Sequence, residues 1–461
     1  MKNHEDYNEY AERWKKCRAF AFGDEHEIKE LGEDVIPKLV DEDKTDYAKR
    51  VDYAHVDNKV AASMWIYRGL AFRKNPVLSK LTEKQQDYID DVDGSGMSVI
   101  DLAKKLHSEH LAVTRYGMLI DGEPVNSGES HADYVARGGR HKICMYTAES
   151  ILDWSCKNGI LNYVLLKEKD HKIAFNPAKN EFEQEHKDVY RTLDTLDGYY
   201  RVMLWRKKEG ADLSGGSEFE LIEEPQQPTM NGAPLAFIPF NIYPDTHPST
   251  PMIQGLVDAN IAHLKADAMD SNLCRLIATP TPYFAGFSEL SDPQKNTKVN
   301  LSSALVTNNP NARCGYLEMA GAGAAAIQAR MARLLDEMVA EGSSLLRSSP
   351  KAVESAESAG IRNMGDNSKL SEVSLSVESA INWAVNLMLE WDSIDGEEFK
   401  LELNRDMLPY PMSPQQIDSL VRSYQTGAIS YQTLFYNLAK GEIIEQGRTV
   451  DEEHGALSEG M

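Results

Sequence analysis

Cysteine is scarce in this chain. Its five thiols, Cys17, Cys144, Cys156, Cys274 and Cys314, are odd in number and widely spaced, and no C-x-x-C occurs. No disulfide framework or zinc motif can be read from them, and reduced thiols in a cytosolic compartment are expected. Long apolar runs are missing as well. Nothing approaches the roughly 18 consecutive apolar residues that a membrane-crossing helix needs. The opening "MKNHEDYNEY" is charged from its second residue and does not read as a signal peptide. The expectation is a soluble protein made in the cytoplasm, with no membrane partner. Positive charge is also in deficit, with 49 Lys and Arg against 72 Asp and Glu and a formal net charge of -23. A sequence-specific DNA binder carries a basic face, so this balance argues against one. It does not exclude a protein that DNA passes without adhering, because acidic walls repel phosphates.

The motifs of common enzyme classes are absent too. There is no G-x-x-x-x-G-K-[ST], no G-x-S-x-G elbow and no G-x-G-x-x-G after a strand. Three short patterns match metal or catalytic motifs in part. "DVDGSG" starts like a calcium loop at Asp91, with Asp93, Ser95 and Gly96 in place. Its twelfth position is Leu102, where a bidentate Glu is needed, so a turn and helix cap is the better reading. "HSEH" puts His107 and His110 one turn apart, but a metalloprotease needs His at i and i+4 with Glu next to the first. A solvated helix face is expected there. Asp395 followed by Glu398 and Lys400 matches the Asp and E-x-K pattern of metal-dependent nucleases, in which carboxylates hold the metal and Lys polarises a phosphate. A turn and charged strand edge explains it better. No catalytic residue, metal or cofactor is assigned, and the chain is not expected to be an enzyme.

The chain does have enough apolar content, 42%, for folded cores, and at 461 residues it is too long for one ordinary core. Two or more domains, or one elongated subunit, are expected. The N-terminal part has helical period. "YNEYAERWKKCRAFAFG" places Tyr7, Tyr10, Ala11 and Trp14 on one face, and "DKTDYAKRVDYAHVDNKVAASMWIYRGLAF" continues the period through Tyr47, Val51, Ala54, Val60, Met64 and Tyr67. A Ser-capped helix from about Met97 runs into a short strand, Gly117 to Ile120. From about Ile143 the pattern turns to β, in "GILNYVLLKE", "GYYRVMLWRK" and "SEFELIEE", followed by the extended "LAFIPFNIYPD".

Thr250 and Pro251 then open a helix with Ile253, Leu256, Val257, Ile261, Leu264 and Ala268 on one stripe. "ATPTPYFAGF" stops it, since two prolines forbid helix and favour an extended edge. Strand-like "SSALVTN" and "CGYLEM" lead to an Ala-rich helix, "AGAGAAAIQARMARLLDEMVAEGSSLL". A third long helix, "SKLSEVSLSVESAINWAVNLMLEWD", keeps period through Leu370, Val373, Val377, Ile381, Ala384, Met388 and Trp391. At about 1.5 Å per residue it spans roughly 35 Å. A strand "FKLELN" and short helices capped by Ser413 and Ser430 follow, and the tail "EEHGALSEGM" is expected to be disordered. Trp65, Trp154, Trp205, Trp383 and Trp391 sit within apolar patterns and are expected in the core.

The order of segments from Leu235 onward resembles the portal (head-tail connector) proteins of tailed bacteriophages. "PLAFIPFNIYPDTHPSTPMIQGLVDANIAHLKADAMDSNLCRLIATPTPYFAGF" is similar to a first stem helix running into a clip, and the Ala-rich helix to a second stem helix. "RSSPKAVESAESAGIRNMGDNSK" is similar to a tunnel loop, and the third long helix to the one that crosses the wing. "YAERWKKCRAFAFGDEHEIKELGEDVIPKL" and "WIYRGLAFRKNPVLSKL" resemble the helical start of portals, so the likeness covers about Tyr7 to Glu445. It implies an α+β, mainly helical portal fold with a wing (1-249) of a helical N-terminal part and a β-rich part, stem helix 1 (250-276) and a small α/β clip (277-318). Stem helix 2 (319-346), a tunnel loop (347-368), a wing helix with returning strand (369-411) and a short helical crown with a flexible tail (412-461) complete it.

The resemblance also implies function. It implies a homo-oligomeric ring, usually a dodecamer, at one capsid vertex of the virion, assembled in the host cytoplasm. Double-stranded DNA is packaged and ejected through its channel without sequence specificity. The implied partners are the terminase large subunit, a head-tail adaptor on the clip, and major capsid and scaffold proteins at the wing. Arg347, Lys351, Arg362, Arg330 and Arg333 become candidates for channel contacts with DNA. Tyr283, Phe284, Phe287, Lys295, Lys298 and Arg313 become candidates for contacts between clips or with the adaptor. Small residues at 320–326 and Ala329 allow close helix packing. The alternatives are a metal-dependent nuclease using Asp395, Glu398 and Lys400, or a structural or scaffolding component without a channel.

"LLRSSPKAVESAESAG" gains a reason in this frame. Pro350 ends the Ala-rich helix, and the small polar residues after it need no core, as a loop facing a channel requires. Charge reversal by Lys351→Glu is expected to impair DNA retention while rings still assemble. Packaging assays on variant particles check this, and normal packaging removes Lys351 from that role.

Overall fold

The computed structural model describes residues 2–122, 130, 133–134, 137–176, 181–208, 218–278, 281–286, 309–317, 322–341, 356–405, 407, 412, 414–441, 443–444 and 448–459. In chain order, helices α1 (Glu5–Phe22), α2 (Glu25–Glu30), α3 (Lys44–Tyr53) and α4 (Lys59–Ala71) come first. Strand β1 (Val77–Leu78) and helices α5 (Glu83–Asp90) and α6 (Val99–Val113) follow. Strands β2 (Tyr116–Gly122), β3 (His141–Thr147), β4 (Ile151–Lys157), β5 (Ile160–Asn176), β6 (Glu181–Asp194), β7 (Arg201–Lys207) and β8 (Phe219–Leu221) form the β-rich middle. The short β9 (Thr229–Met230), β10 (Ala233–Pro234) and β11 (Phe240–Tyr243) complete it. Then come α7 (Gln254–Ala278), β12 (Thr281–Ala285), β13 (Arg313–Leu317), α8 (Ala322–Glu341) and α9 (Ala356–Trp391). The chain closes with β14 (Leu401–Glu402), α10 (Pro414–Gln425), α11 (Tyr431–Lys440) and α12 (Val450–Glu459). The architecture is α+β. None of the described helices is long and apolar enough to cross a membrane.

The chain divides into two compact units. The first gathers Met1–Ala21, Ala61–Gln254 and Leu345–Met461, and the second Phe22–Val60 and Gly255–Ser344. In the first unit a three-stranded antiparallel sheet, ordered β11-β2-β3, is covered by α6 and α9. The α9 stripe anticipated from periodicity is buried at every position from Leu370 to Trp391. Its flank also organises the returning chain. Glu378 accepts from Leu403 N at 2.7 Å, Asn382 from Leu401 N at 2.7 Å, and Asn386 from Phe399 N at 2.9 Å. These side chains lie four residues apart on one helix face, so together they stand in for a neighbouring strand.

A separate five-stranded antiparallel meander runs β4-β5-β6-β7-β8 in sequence order. Its apolar face buries Leu152, Trp154, Val164, Leu166, Leu193 and Val202. The segment "LAFIPFNIYPD" does not join this meander. Its strand β11 pairs with β2, from Phe240 opposite Leu119 to Tyr243 opposite Tyr116.

Several sequence expectations are corrected here. The continuous helix from Asp43 to Phe72 is broken, because Ala54 leaves α3 in extended conformation and 54–58 run outside any helix. Trp65 is 68% exposed rather than in the core, since α4 turns Met64 and Ala71 inward and leaves Trp65 under the Arg68 guanidinium at 4.2 Å. Trp205 and Trp383 are half-buried, while Trp154 and Trp391 are core. The tunnel-loop region assigned to 347–368 is helical from Ala356 onward, where no proline interrupts α9; 347–355 lie outside the described residues. The expected disordered tail folds as α12. Thr449 and Glu452 form a reciprocal cap there, Glu452 N donating to Thr449 Oγ1 at 3.2 Å and Thr449 N to Glu452 at 2.9 Å. Ser430 caps α11 as expected, and Ser413 lies outside the described residues.

Gly117 sits where β2 meets Phe240. A Cβ added there would clash with Phe240 Cζ and lie 3.0 Å from Ile151 Cδ1. Gly117→Ala should therefore overpack this sheet and cost about 1–3 kcal/mol, read as a lower urea midpoint.

Candidate functional site

The second unit carries the segment that the portal resemblance assigns to stem and clip. Helices α7 and α8 run antiparallel, with Leu273 beside Gly323 and Gln328 Nε2 donating to Asp270 at 3.5 Å. Between them β12 and β13 form an antiparallel pair, from Thr281 opposite Leu317 to Ala285 opposite Arg313. Pro282 of "ATPTPYFAGF" thus falls in an extended strand of a two-stranded sheet, as expected, and Pro280 lies outside the described residues. Pairing leaves side chains alternating across the hairpin. The Tyr283 ring lies over Gly315, whose added Cβ would meet Tyr283 Cε1 at 2.9 Å, and Tyr316 points to the other side. Tyr283 is 42% exposed and Tyr316 60%. Met269, Leu276 and Ile277 add exposed apolar surface along α7.

Helix α7 is anchored within its unit by buried polar side chains. Asn260 is fully buried, accepts from Lys59 N at 2.9 Å and donates to Asp57 O at 3.1 Å. About two turns along the same face, Asp267 accepts from His55 N at 2.6 Å. These bonds satisfy the backbone that leaves helix at 54–58, which explains why the α3–α4 period breaks there. His263, between them, is held below its usual pKa by burial, with Asp57 and Asp267 acting against that shift.

The sequence candidates are dispersed. Arg330 and Arg333 are exposed on α8, and Arg333 reaches Glu337 on its own helix at 3.8 Å. Arg313 opens β13 and is exposed. Phe284 is in β12 and Arg362 in α9, their side chains outside the described residues. Phe287, Lys295, Lys298, Arg347 and Lys351 lie outside the described residues altogether. Among the described residues the structure places Tyr283 and Arg313 on the two strands of one hairpin, with Tyr316 added, and Arg330 and Arg333 one turn apart on α8. Tyr316 is legible as an aromatic in "CGYLEM"; its exposure follows only from the register.

The three short motifs resolve differently. In "DVDGSG", Asp93 accepts from Ser95 N at 2.9 Å and Met97 N at 3.2 Å, and Asp91 accepts from Gly96 N at 2.8 Å, the pattern of a turn feeding the Ser98 cap. Asp395, Glu398 and Lys400 are exposed, with Lys400 Nζ 3.9 Å from Glu398 and Phe399 turned into the core. The "HSEH" reading is corrected: this stretch is not solvated. His107, Glu109 and His110 are buried, and Arg18 of α1 bridges Glu109 and, at 2.7 Å, Glu149. Burial lifts the Glu109 carboxyl above its ordinary range even with Arg18 beside it. A signal is present in the sequence, since 99, 102, 103, 106, 107 and 110 form one helical stripe on which both imidazoles fall.

The model of a domain of unknown function, DUF4055, matches residues 251–392, the stretch from α7 to the end of α9. No curated protein matches the chain. Among solved structures, the chain is similar to one from the neck of an empty GTA particle computed with C6 symmetry. That likeness has 11% identity, covers 87% of this chain and 95% of that one, and has a TM-score of 0.39, too low to carry an argument about function.

Asn260→Ala should lower stability by about 1–3 kcal/mol, because it strips partners from two backbone groups at 54–59. Denaturant titration measures the loss, and limited proteolysis should cut first within 54–58.

Proposed function

We propose that this chain is the structural, non-enzymatic subunit of a head-tail connector ring, in the manner of a phage portal. The observation that carries the reading is the second unit's antiparallel helix pair joined by a β-hairpin, with exposed aromatics on both hairpin faces. Such a hairpin leaves Tyr283 and Tyr316 in water in a lone chain, and neighbouring copies around a ring would cover them. The Ala-rich face of α8, including the exposed Ala325, Ala326 and Ala329, allows close approach of a neighbouring helix. The order α7, hairpin, α8, α9 is the order of stem, clip, stem and wing helix.

In this reading the ring stands at a capsid vertex of the virion. Its acidic surplus suits a channel through which duplex DNA slides, and Arg330 supplies one weak phosphate contact in the second unit. The hairpin is the docking point for terminase and a head-tail adaptor, with capsid and scaffold proteins meeting the first unit. A dodecamer is the expected ring.

Sedimentation velocity on the purified chain tests the interface. The wild type should sediment as a discrete high-mass species. Tyr283→Glu combined with Tyr316→Glu should shift it to small species with unchanged circular dichroism. A wild type that stays monomeric at all concentrations, or a double variant that assembles normally, overturns the reading.

A further inference from the structure

Helix α6 carries two histidines in a place where imidazolium cannot be accommodated. His107 is 0% exposed and His110 3%. Both ring nitrogens of His107, and Nδ1 of His110, lack a hydrogen-bond partner among the described residues. The Phe72 ring, directly after α4, stands edge-on to His107 at 5.6 Å, and the Tyr116 ring of β2 edge-on to His110 at 6.1 Å. The charged group acting on His107 from α4 is Arg68, of the wrong sign to help, and the His110 imidazole also disfavours protonation of His107. On α9, the buried carboxylate Glu378 is engaged by Leu403 N and Arg405 at 2.7 Å each. Glu109, on α6 itself, is held by Arg18 of α1.

A proton on either ring therefore costs the closed helix a buried charge without a counter-ion. We propose that α6 is a proton-operated latch, released from α9 and β2 when His107 and His110 take up protons in mild acid, while the five-stranded meander stays folded. The meander has its own buried apolar set, including Val164, Leu165 and Leu193, so it can remain closed as a separate cooperative unit. Release would bare the α6 stripe of Leu102, Ala103 and Leu106.

The sign follows from linkage. Burial holds His107 down at about 3 and His110 at about 4, whereas an exposed imidazole titrates near 6.5. Both folded values are depressed, so their stabilising contribution is full above about pH 6.5 and is lost as pH falls below it. Glu109 acts in the opposite sense, because burial raises its pKa and the closed state binds its proton more readily. Two protons acting together should favour the open form by roughly fiftyfold between pH 6 and pH 5, before the smaller Glu109 offset.

Hydrogen exchange on the full chain, corrected for intrinsic rates, tests this. Amides of Val99–Val113 should gain tens of fold in exchange between pH 6 and pH 5, and those of Ile160–Asp170 should not. In His107→Leu/His110→Leu the α6 gain should vanish; His107→Gln/His110→Gln serves if the leucine pair fails to fold. Wild-type α6 amides with unchanged protection at pH 5, a variant as acid-sensitive as the wild type, or a meander that opens in step with α6 would each overturn the latch.

Discussion

The burial of α9 against α6 and the β11-β2-β3 sheet is the contact on which the first unit depends. It gathers segments that are far apart in the chain. Helix α6 precedes the β-rich middle, while α9 comes after the whole helix–hairpin–helix excursion. Closing such long loops costs entropy that only a large apolar contact can offset. The unbroken stripe from Leu370 to Trp391 supplies it. Its C-terminal end is fixed by a polar lock. Asp392, buried directly after the stripe, accepts from His141 N at 2.9 Å and Tyr88 OH at 2.8 Å, and the His141 ring stacks on Trp391 at 4.3 Å. Burial opposes ionisation of that carboxyl, yet the His141 and Tyr88 bonds keep it below its ordinary pKa.

In the second unit, helix α8 and the hairpin leave apolar surface exposed. Helix α8 has Leu334 and Met338 as its buried apolar anchors among the described side chains, and the hairpin displays aromatics rather than hiding them. A hairpin that keeps Tyr283 and Tyr316 exposed beside a helix with few buried anchors among its described side chains is suited to assembly. That exposure, more than any single residue, supports reading the chain as a component of a larger structure.

How legible the fold is in the sequence depends on the kind of signal. The α9 and α7 stripes and the Ser98 and Ser430 caps are readable, because apolar period and cap chemistry are local. The break after α3 is not, because Asn260 and Asp267 satisfy the 54–58 backbone from over two hundred positions away. The α12 helix hides in a polar, acidic tail, although Thr449 and Glu452 form a cap visible as T-x-x-E. The imidazoles of α6 read as solvated by residue type, whereas the period places 107 and 110 inward. Of the candidate site, the clip-like aromatics follow from segment order, while the exposure of Tyr316 needs the strand register. The candidate cations are scattered, and Arg333 is engaged along its own helix.

The reading stands or falls on whether copies of this chain close into a ring through the helix–hairpin–helix unit. Negative-stain imaging of the purified protein decides this. End-on views should show one rotational symmetry, about twelvefold, around an open centre. Uniform particles the size of a single 51.6 kDa chain, or assemblies with no central opening, would contradict it.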